Sequence, residues 1–123
     1  MPELNFVEPY GTPGVAKYAA IDAAGSGDNT IVAAVAAAGT RPAKKIRVYA
    51  LHVTMTGTLV TIRFESGAGG TALTGQMGPL AGTSITLPFN PLGWFETAAG
   101  DLLNMELSGG QSVDGCLVYG EVI

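Results

Sequence analysis

Residue types that could do chemistry are few in this chain, and they stand far apart. The sequence has one histidine, His52, and one cysteine, Cys116. A nucleophilic site needs a base beside the nucleophile and an acid that orients the base, and no motif of that kind is present. One imidazole and one distant thiol are also too few for a transition-metal site. We therefore expect no catalytic residues and no enzyme, with His52 in the core or at an interface and Cys116 as a buried thiol.

Oxygen-bearing side chains offer the remaining candidates for an ion or phosphate site. Asp22, Asp28 and Asn29 flank a glycine-containing segment, and calcium prefers such oxygens. Their spacing does not match an EF-hand loop, so a turn capped by side chains is the favoured interpretation. Glycine-rich residues 66–71 lack the lysine and the following helix that a phosphate-binding loop needs. No metal and no cofactor is expected.

The single tryptophan stands at a proline–glycine corner, where two roles are open. Residues 90–95 read NPLGWF. Trp94 and Phe95 can plug the end of a sandwich and exclude water from its core, or Trp94 with Asn90 can form a platform on which a sugar ring stacks. We favour the plug because exposed aromatic side chains are the minority case.

Composition limits the classes of partner. The length of 123 residues fits one domain. Charged residues make up 13% of the chain, against about 25% in ordinary soluble domains, so part of the surface is expected to be covered by a partner. The net charge of −4 argues against nucleic acid, and the short basic cluster at 41–47 is expected to solvate the end of a strand. No apolar run is long enough to span a membrane, and the first residues do not resemble a signal peptide.

Turn residues recur at intervals of about 8–12 residues, which is typical of β-sandwiches and barrels. The pattern predicts an all-β fold with two antiparallel sheets, jelly-roll-like, and about eight strands. The predicted strands are 18–23, 30–36, 45–56, 58–66, 71–74, 84–89, 102–108 and 113–123. Alanines in 30–36 also suit a helix, but the β-branched residues favour a strand.

The clearest predicted pair of strands is 45–56 with 58–66, which Gly57 would join as a tight hairpin. In the first strand, Ile46 and Val48 are predicted to lie on one face. The apolar residues 49, 51, 53 and 55 are predicted to lie on the other. In the second strand and in 102–108, alternation places 60, 62, 64, 103, 105 and 107 inward and the polar positions between them outward.

Residues 1–14 form a segment of their own, an extended N-terminal arm before the sandwich domain of residues 15–123. Three prolines and two glycines exclude a helix there. Its apolar side chains, Leu4, Phe6, Val7 and Tyr10, are too many for a free tail. We expect them to form an interface, either with the arm's own domain or with a neighbouring subunit.

Nearly all of the chain after the arm resembles small structural proteins of tailed-phage virions. The resemblance is carried by GSGDNTIVAAVA (25–36), KKIRVYALHVTMTG (44–57), TIRFESGAGGTALTG (61–75), LPFNPLGWFETAAGDLLNMELSGG (87–110) and VDGCLVYGEVI (113–123). Its most specific block is PLGWFETAAGDLLNMELS. Proteins of this type are jelly-roll modules, and several are head decoration (cement) proteins that sit as trimers on the capsid. Similar domains occur in tail and fibre proteins. No catalytic residues come with the resemblance.

The resemblance implies a capsid decoration protein, made in the host cytoplasm and placed on the outer surface of the virion. Its expected partners are the major capsid protein and two further copies of itself in a homotrimer, with no nucleic acid and no membrane. It would stabilise contacts between major capsid subunits. The arm is not part of the shared pattern, and its expected position across a neighbour follows only from its composition. The alternative is a receptor-binding or carbohydrate-binding module of a phage tail or fibre.

Overall fold

The computed structural model describes residues 4–7, 13–55, 60–80, 82–110 and 112–123, and all regular structure in these ranges is β-strand. The strands are β1 (Leu4–Val7), β2 (Pro13–Ala23), β3 (Gly27–Val32), β4 (Lys45–Met55), β5 (Val60–Ser66), β6 (Thr71–Ala72), β7 (Met77–Leu80), β8 (Ser84–Leu87), β9 (Phe95–Glu96), β10 (Leu103–Leu107) and β11 (Val113–Val122). The predicted all-β fold is confirmed. The described strands number eleven rather than about eight, because β1, β7 and β9 join those predicted.

Two antiparallel sheets make up the sandwich. The first has the order β1-β2-β11-β4-β8, with β9 also on β4, and the second has the order β3-β10-β5-β6, with β7 also on β5. The pairing is nested along the chain, since β2 pairs with β11, β3 with β10, β4 with β8, and β5 with β6 and β7. A long hairpin rolled into two sheets has this order, which is that of a jelly roll.

The nested pairing overturns the predicted hairpin between 45–56 and 58–66. The link itself includes residues outside the described ranges, but β4 and β5 lie in different sheets, and neither is the other's neighbour. Both strands bury one apolar face. β4 pairs with β8, β9 and β11, whereas β5 pairs with β6, β7 and β10. The predicted strand 30–36 is also displaced: β3 ends at Val32, and Val35 then bridges to Lys44.

The core lies between the sheets and follows the predicted alternation in β5 and β10. Val60, Ile62 and Phe64 are buried in one cluster with Leu103, Met105 and Leu107, as expected. Each of these side chains contributes about 1.5–3 kcal/mol on full burial. The polar positions between them point to the other face of the second sheet.

A β-bulge at Tyr49 changes the alternation of β4. Val118 pairs with Ala50 and Tyr119 with Val48, which leaves Tyr49 without an opposite residue in β11. An extra residue reverses the face of everything that follows it. The residues before the bulge, Ile46 and Val48, and those after it at 51, 53 and 55 therefore share one core. The prediction that they lie on opposite faces is wrong.

The Tyr49 ring is buried outside that core. Its centroid lies 5.9 Å from that of Phe89, and a Cβ added to Gly120 would come within 2.8 Å of the Tyr49 ring. Because Gly120 has no side chain, there is space for the Tyr49 ring beside it.

Close contact between β11 and β4 generates a first prediction. A Cβ on Gly115 would lie 1.9 Å from the carbonyl oxygen of His52, so Gly115→Ala forces two central strands apart. We expect a loss of about 3 kcal/mol in the free energy of unfolding, measured by urea denaturation. Gly75→Ala is the matched control, since nothing lies within 4 Å of its Cβ. Equal midpoints for the two variants would contradict the tight β4–β11 contact.

Candidate functional sites

The corner of residues 88–94 is fixed to the bulge in β4 by backbone hydrogen bonds. The Asn90 N–H donates to the Tyr49 carbonyl and the Trp94 N–H to the Val48 carbonyl, each at 2.8 Å. Within the corner, the Trp94 indole N–H donates to the Pro88 carbonyl at 2.7 Å, and Asn90 Oδ1 accepts from the Leu92 N–H at 3.0 Å. These hydrogen bonds fix the main chain of the corner to β4 and orient the Trp94 and Asn90 side chains.

The two aromatic residues of the corner point in different directions. The Phe95 ring packs on the core with its centroid 5.1 Å from that of Phe64. Trp94 is 43% exposed. Phe89 and Leu92 are also exposed, at 47% and 58%. We call these three residues (Phe89, Leu92 and Trp94) the corner patch. Asn90 lies beside it with its side chain bonded to the turn.

An ion pair borders the corner patch. The Arg47 Nε and Nη2 atoms each lie 3.0 Å from Glu96 Oε2. Arg47 and Glu96, together with residues 92–95, line a shallow depression of about 150 Å³. An aromatic face can stack on a sugar ring while a neighbouring charged pair forms hydrogen bonds with the sugar hydroxyls. The same surface can instead pack against an apolar side chain of a protein partner.

The arm residues are described only in part. The backbone of Leu4–Val7 pairs with Pro13–Ala16 of β2 and forms the edge of the first sheet. Tyr10 lies outside the described residues. The backbone at 4–7 thus contacts its own chain, and the interface formed by Leu4, Phe6, Val7 and Tyr10 stays a prediction.

His52 and Cys116 face each other across β4 and β11. Both are exposed, and His52 Nδ1 lies 2.8 Å from Thr86 Oγ1. The expected buried thiol is wrong, because Val113 and Leu117 point into the core and alternation turns Cys116 outward. A place in the core for His52 is wrong for the same reason.

A polar network lies on the outer face of the second sheet, and sequence reasoning missed it. Asn104 stands opposite Glu65 in the β10–β5 register, and Asn104 Nδ2 donates to Glu65 Oε1 at 2.8 Å and to Asp28 Oδ1 at 2.9 Å. Arg63 donates to Glu65 Oε2 from Nε at 3.0 Å and to Glu106 Oε2 from Nη2 at 3.2 Å. We call the five residues Asp28, Arg63, Glu65, Asn104 and Glu106 the outer network.

Glu65 is almost fully buried on this outer face, at 1% exposure, where its two carboxylate oxygens accept hydrogen bonds from Asn104 and Arg63. Burial by itself raises the pKa of the Glu65 carboxyl, but the hydrogen bonds from Arg63 and Asn104 outweigh burial, so the pKa lies below its ordinary value. The same contact with Glu65 raises the pKa of the Arg63 guanidinium.

A cleft of about 460 Å³ opens at one end between the two sheets; it is lined by Lys45, Ser66, Thr71, Leu73, Glu96, Thr97, Ala98, Ala99 and Asp101. Ser66 Oγ donates to Asp101 Oδ2 at 2.7 Å and accepts from the Ala98 N–H at 2.9 Å. Thr97 Oγ1 accepts from the Ile46 N–H at 2.9 Å. These bonds attach residues 97–101 to β5 of the second sheet and β4 of the first, and they occupy the hydroxyl groups of Ser66 and Thr97.

The turn predicted at 22–29 has the expected side-chain cap, since the Asn29 amide donates to the carbonyls of Gly25 and Gly27. Asp28 instead joins the outer network, where its carboxylate groups with those of Glu65 and Glu106. Alternation places positions 63, 65, 104 and 106 on one face, but only the register of three strands shows which of them touch.

Comparisons of the chain with protein-family models, with curated proteins and with solved structures found no match. Across the described ranges, no helix has the length and apolar character needed to cross a membrane.

The buried Glu65 carboxylate generates a prediction about pH. Its pKa is lower in the folded than in the unfolded chain, so it stabilises the fold above the unfolded value, and this contribution is lost as the pH falls through the folded value. We expect the urea midpoint of the wild type to fall as the pH drops below about 4.3, the ordinary pKa of a glutamate carboxyl, and that of Glu65→Gln to fall less. Asp22→Asn controls for the change in net charge. An identical decline in wild type and Glu65→Gln would contradict the assignment.

Proposed function

We propose that this chain is a structural, non-enzymatic protein of a tailed-phage virion, which decorates the outer head surface and stabilises contacts between major capsid subunits. The observation that carries the proposal is the nested strand order of a jelly roll. That fold is the one implied by the resemblance of the sequence to phage virion proteins, and viral capsid domains are among its common uses. A fold alone does not define a function, so the surface must supply the rest.

The corner patch supports a role in binding another protein. Leu92 and Trp94 are large, exposed and apolar, and aromatic residues with a neighbouring arginine are enriched at the centres of protein interfaces. The corner is also tied to Val48 and Tyr49 by main-chain bonds. A surface already held in its bound shape loses little conformational entropy on association.

In this proposal, the protein stabilises the capsid through many identical contacts. A homotrimer presents three corner patches, and the capsid lattice repeats the site many times. Each contact can then be weak, because linked contacts raise the effective concentration of the others. The protein acts as a clamp that resists separation of neighbouring capsid subunits.

Binding to heads assembled without this protein tests the proposal. We expect the wild type to be a trimer by light scattering, to saturate such heads in co-sedimentation, and to raise the temperature at which they release DNA. Leu92→Ser is expected to weaken binding at least about tenfold, since a buried leucine contributes about 1.5–3 kcal/mol. Ile123→Ser, which replaces another exposed apolar residue, is the matched control. Absence of binding by the wild type would refute the proposal.

Carbohydrate binding by a tail or fibre module is the second candidate, and the exposure of Trp94 next to the Arg47–Glu96 pair favours it. Lectins also use the jelly-roll fold. In this case we expect the wild type to bind defined glycans on an array, Trp94→Ala to lose that binding, and Phe89→Ala to retain it. Glycan binding that is indifferent to Trp94→Ala, or no glycan binding at all, would remove this candidate.

A further inference from the structure

Charged side chains of opposite sign lie at the two ends of the first sheet. β4 runs from one end to the other, and its 11 residues cover about 33 Å. At the far end of β4, Thr54 stands opposite Asp114, and Asp114 stands opposite Asp22. We call the two aspartates the acidic end. The basic end, where β4 begins, holds four of the six Lys and Arg side chains: Arg41, Lys44, Lys45 and Arg47.

Two cations of the basic end have no carboxylate partner among the described residues. Lys45 and Arg47 both pair with Glu96. Arg41 is exposed and donates to a backbone carbonyl, and Lys44 is partly exposed. Neither Arg41 nor Lys44 forms an ion pair within the described ranges. Two positive charges can therefore interact with a partner.

The acidic end gives an independent sign of a cationic partner. Asp22 and Asp114 are both exposed and stand directly opposite each other in the β2–β11 pair. Opposite Cβ atoms are about 4.5–5.5 Å apart, and like charges so placed destabilise the pair of strands. Ser112 Oγ donates to Asp114 Oδ2 at 2.8 Å, but no described cation pairs with either carboxylate. A cation from outside the chain would remove this repulsion.

The matching cations belong to another copy of the chain. Within one chain, the length of β4 separates Lys44, which immediately precedes the strand, from Asp114 at its far end. Charges that far apart are screened from each other, since the Debye length is about 8 Å at physiological ionic strength. Two copies can bring these ends together, and the two unpaired cations of one then equal the two carboxylates of the other.

We propose that the basic end of one copy binds the acidic end of the next, with Arg41 and Lys44 on the carboxylates of Asp22 and Asp114. The contact joins two different surfaces, so it is heterologous and can close into a ring. In a ring of three, each copy gives one end to each neighbour and no charged end is left over. The inference names the contact inside the proposed homotrimer and rests on that part of the proposed function.

Salt dependence of the molar mass tests the contact in the full-length wild type. We expect a trimer by light scattering at 50 mM NaCl. At 1 M NaCl we expect at least about a tenfold weaker association, because the Debye length falls to about 3 Å. A monomer at both salt concentrations, or a trimer equally stable at both, would overturn the inference. Binding to heads is measured separately and decides the capsid role.

Charge reversal assigns the contact to these residues. Asp114→Lys and Lys44→Glu each bring like charges together between copies and are expected to weaken association at least about tenfold. Asp114→Lys also puts a cation opposite Asp22, which favours its own fold. Thr86→Lys is the control, since it adds a charge at an exposed position of β8, opposite the middle of β4.

The double variant Asp114→Lys/Lys44→Glu restores opposite charges across the contact. We expect it to associate at least about threefold more tightly than either single variant, which a merely structural effect of the two changes would not produce. A double variant weaker than both single variants would overturn the contact. Single variants that form trimers and bind heads as the wild type does would also overturn it, and would leave the proposed function intact.

Discussion

The bulge at Tyr49 is the constraint on which both the core and the exposed corner depend. β4 pairs with β11 over ten residue pairs, and it also carries β8 and β9. One extra residue in its middle lets both halves of the strand bury their apolar side chains in the same core. The bulge also directs the carbonyls of Val48 and Tyr49 to the corner, which binds them through Asn90 and Trp94. A regular β4 would leave half of its apolar residues on the outer face.

The two candidate sites lie on different sheets and have different chemistry. The corner patch is apolar, borders the Arg47–Glu96 pair, and is fixed by the first sheet. The outer network is acidic and spans three strands of the second sheet. A sandwich can carry both because each sheet has an outer face that the core does not use.

Alternation and turn spacing were sufficient to predict the class of fold and the inward residues of β5 and β10. The predicted hairpin between β4 and β5 is wrong, because β4 and β5 lie in different sheets. Strands that follow each other in the sequence need not be neighbours in a sheet when the chain folds as a jelly roll. Sequence reasoning also failed for Cys116, whose apolar neighbour Leu117 suggested burial although adjacent residues of a strand point to opposite faces. Phe95 and Trp94 were considered together, and the structure separates them into a core residue and an exposed one.

The sequence by itself determined most of the strands and, for β5 and β10, which residues are apolar on one side, since a period of two is a local property of the chain. Only the tertiary structure decided which strands pair, where the bulge in β4 falls, and which polar side chains meet. Asp28, Glu65 and Glu106 come together through the registers of β3, β10 and β5. Such registers depend on the packing of the whole core, because a slip of one residue would expose an entire apolar face.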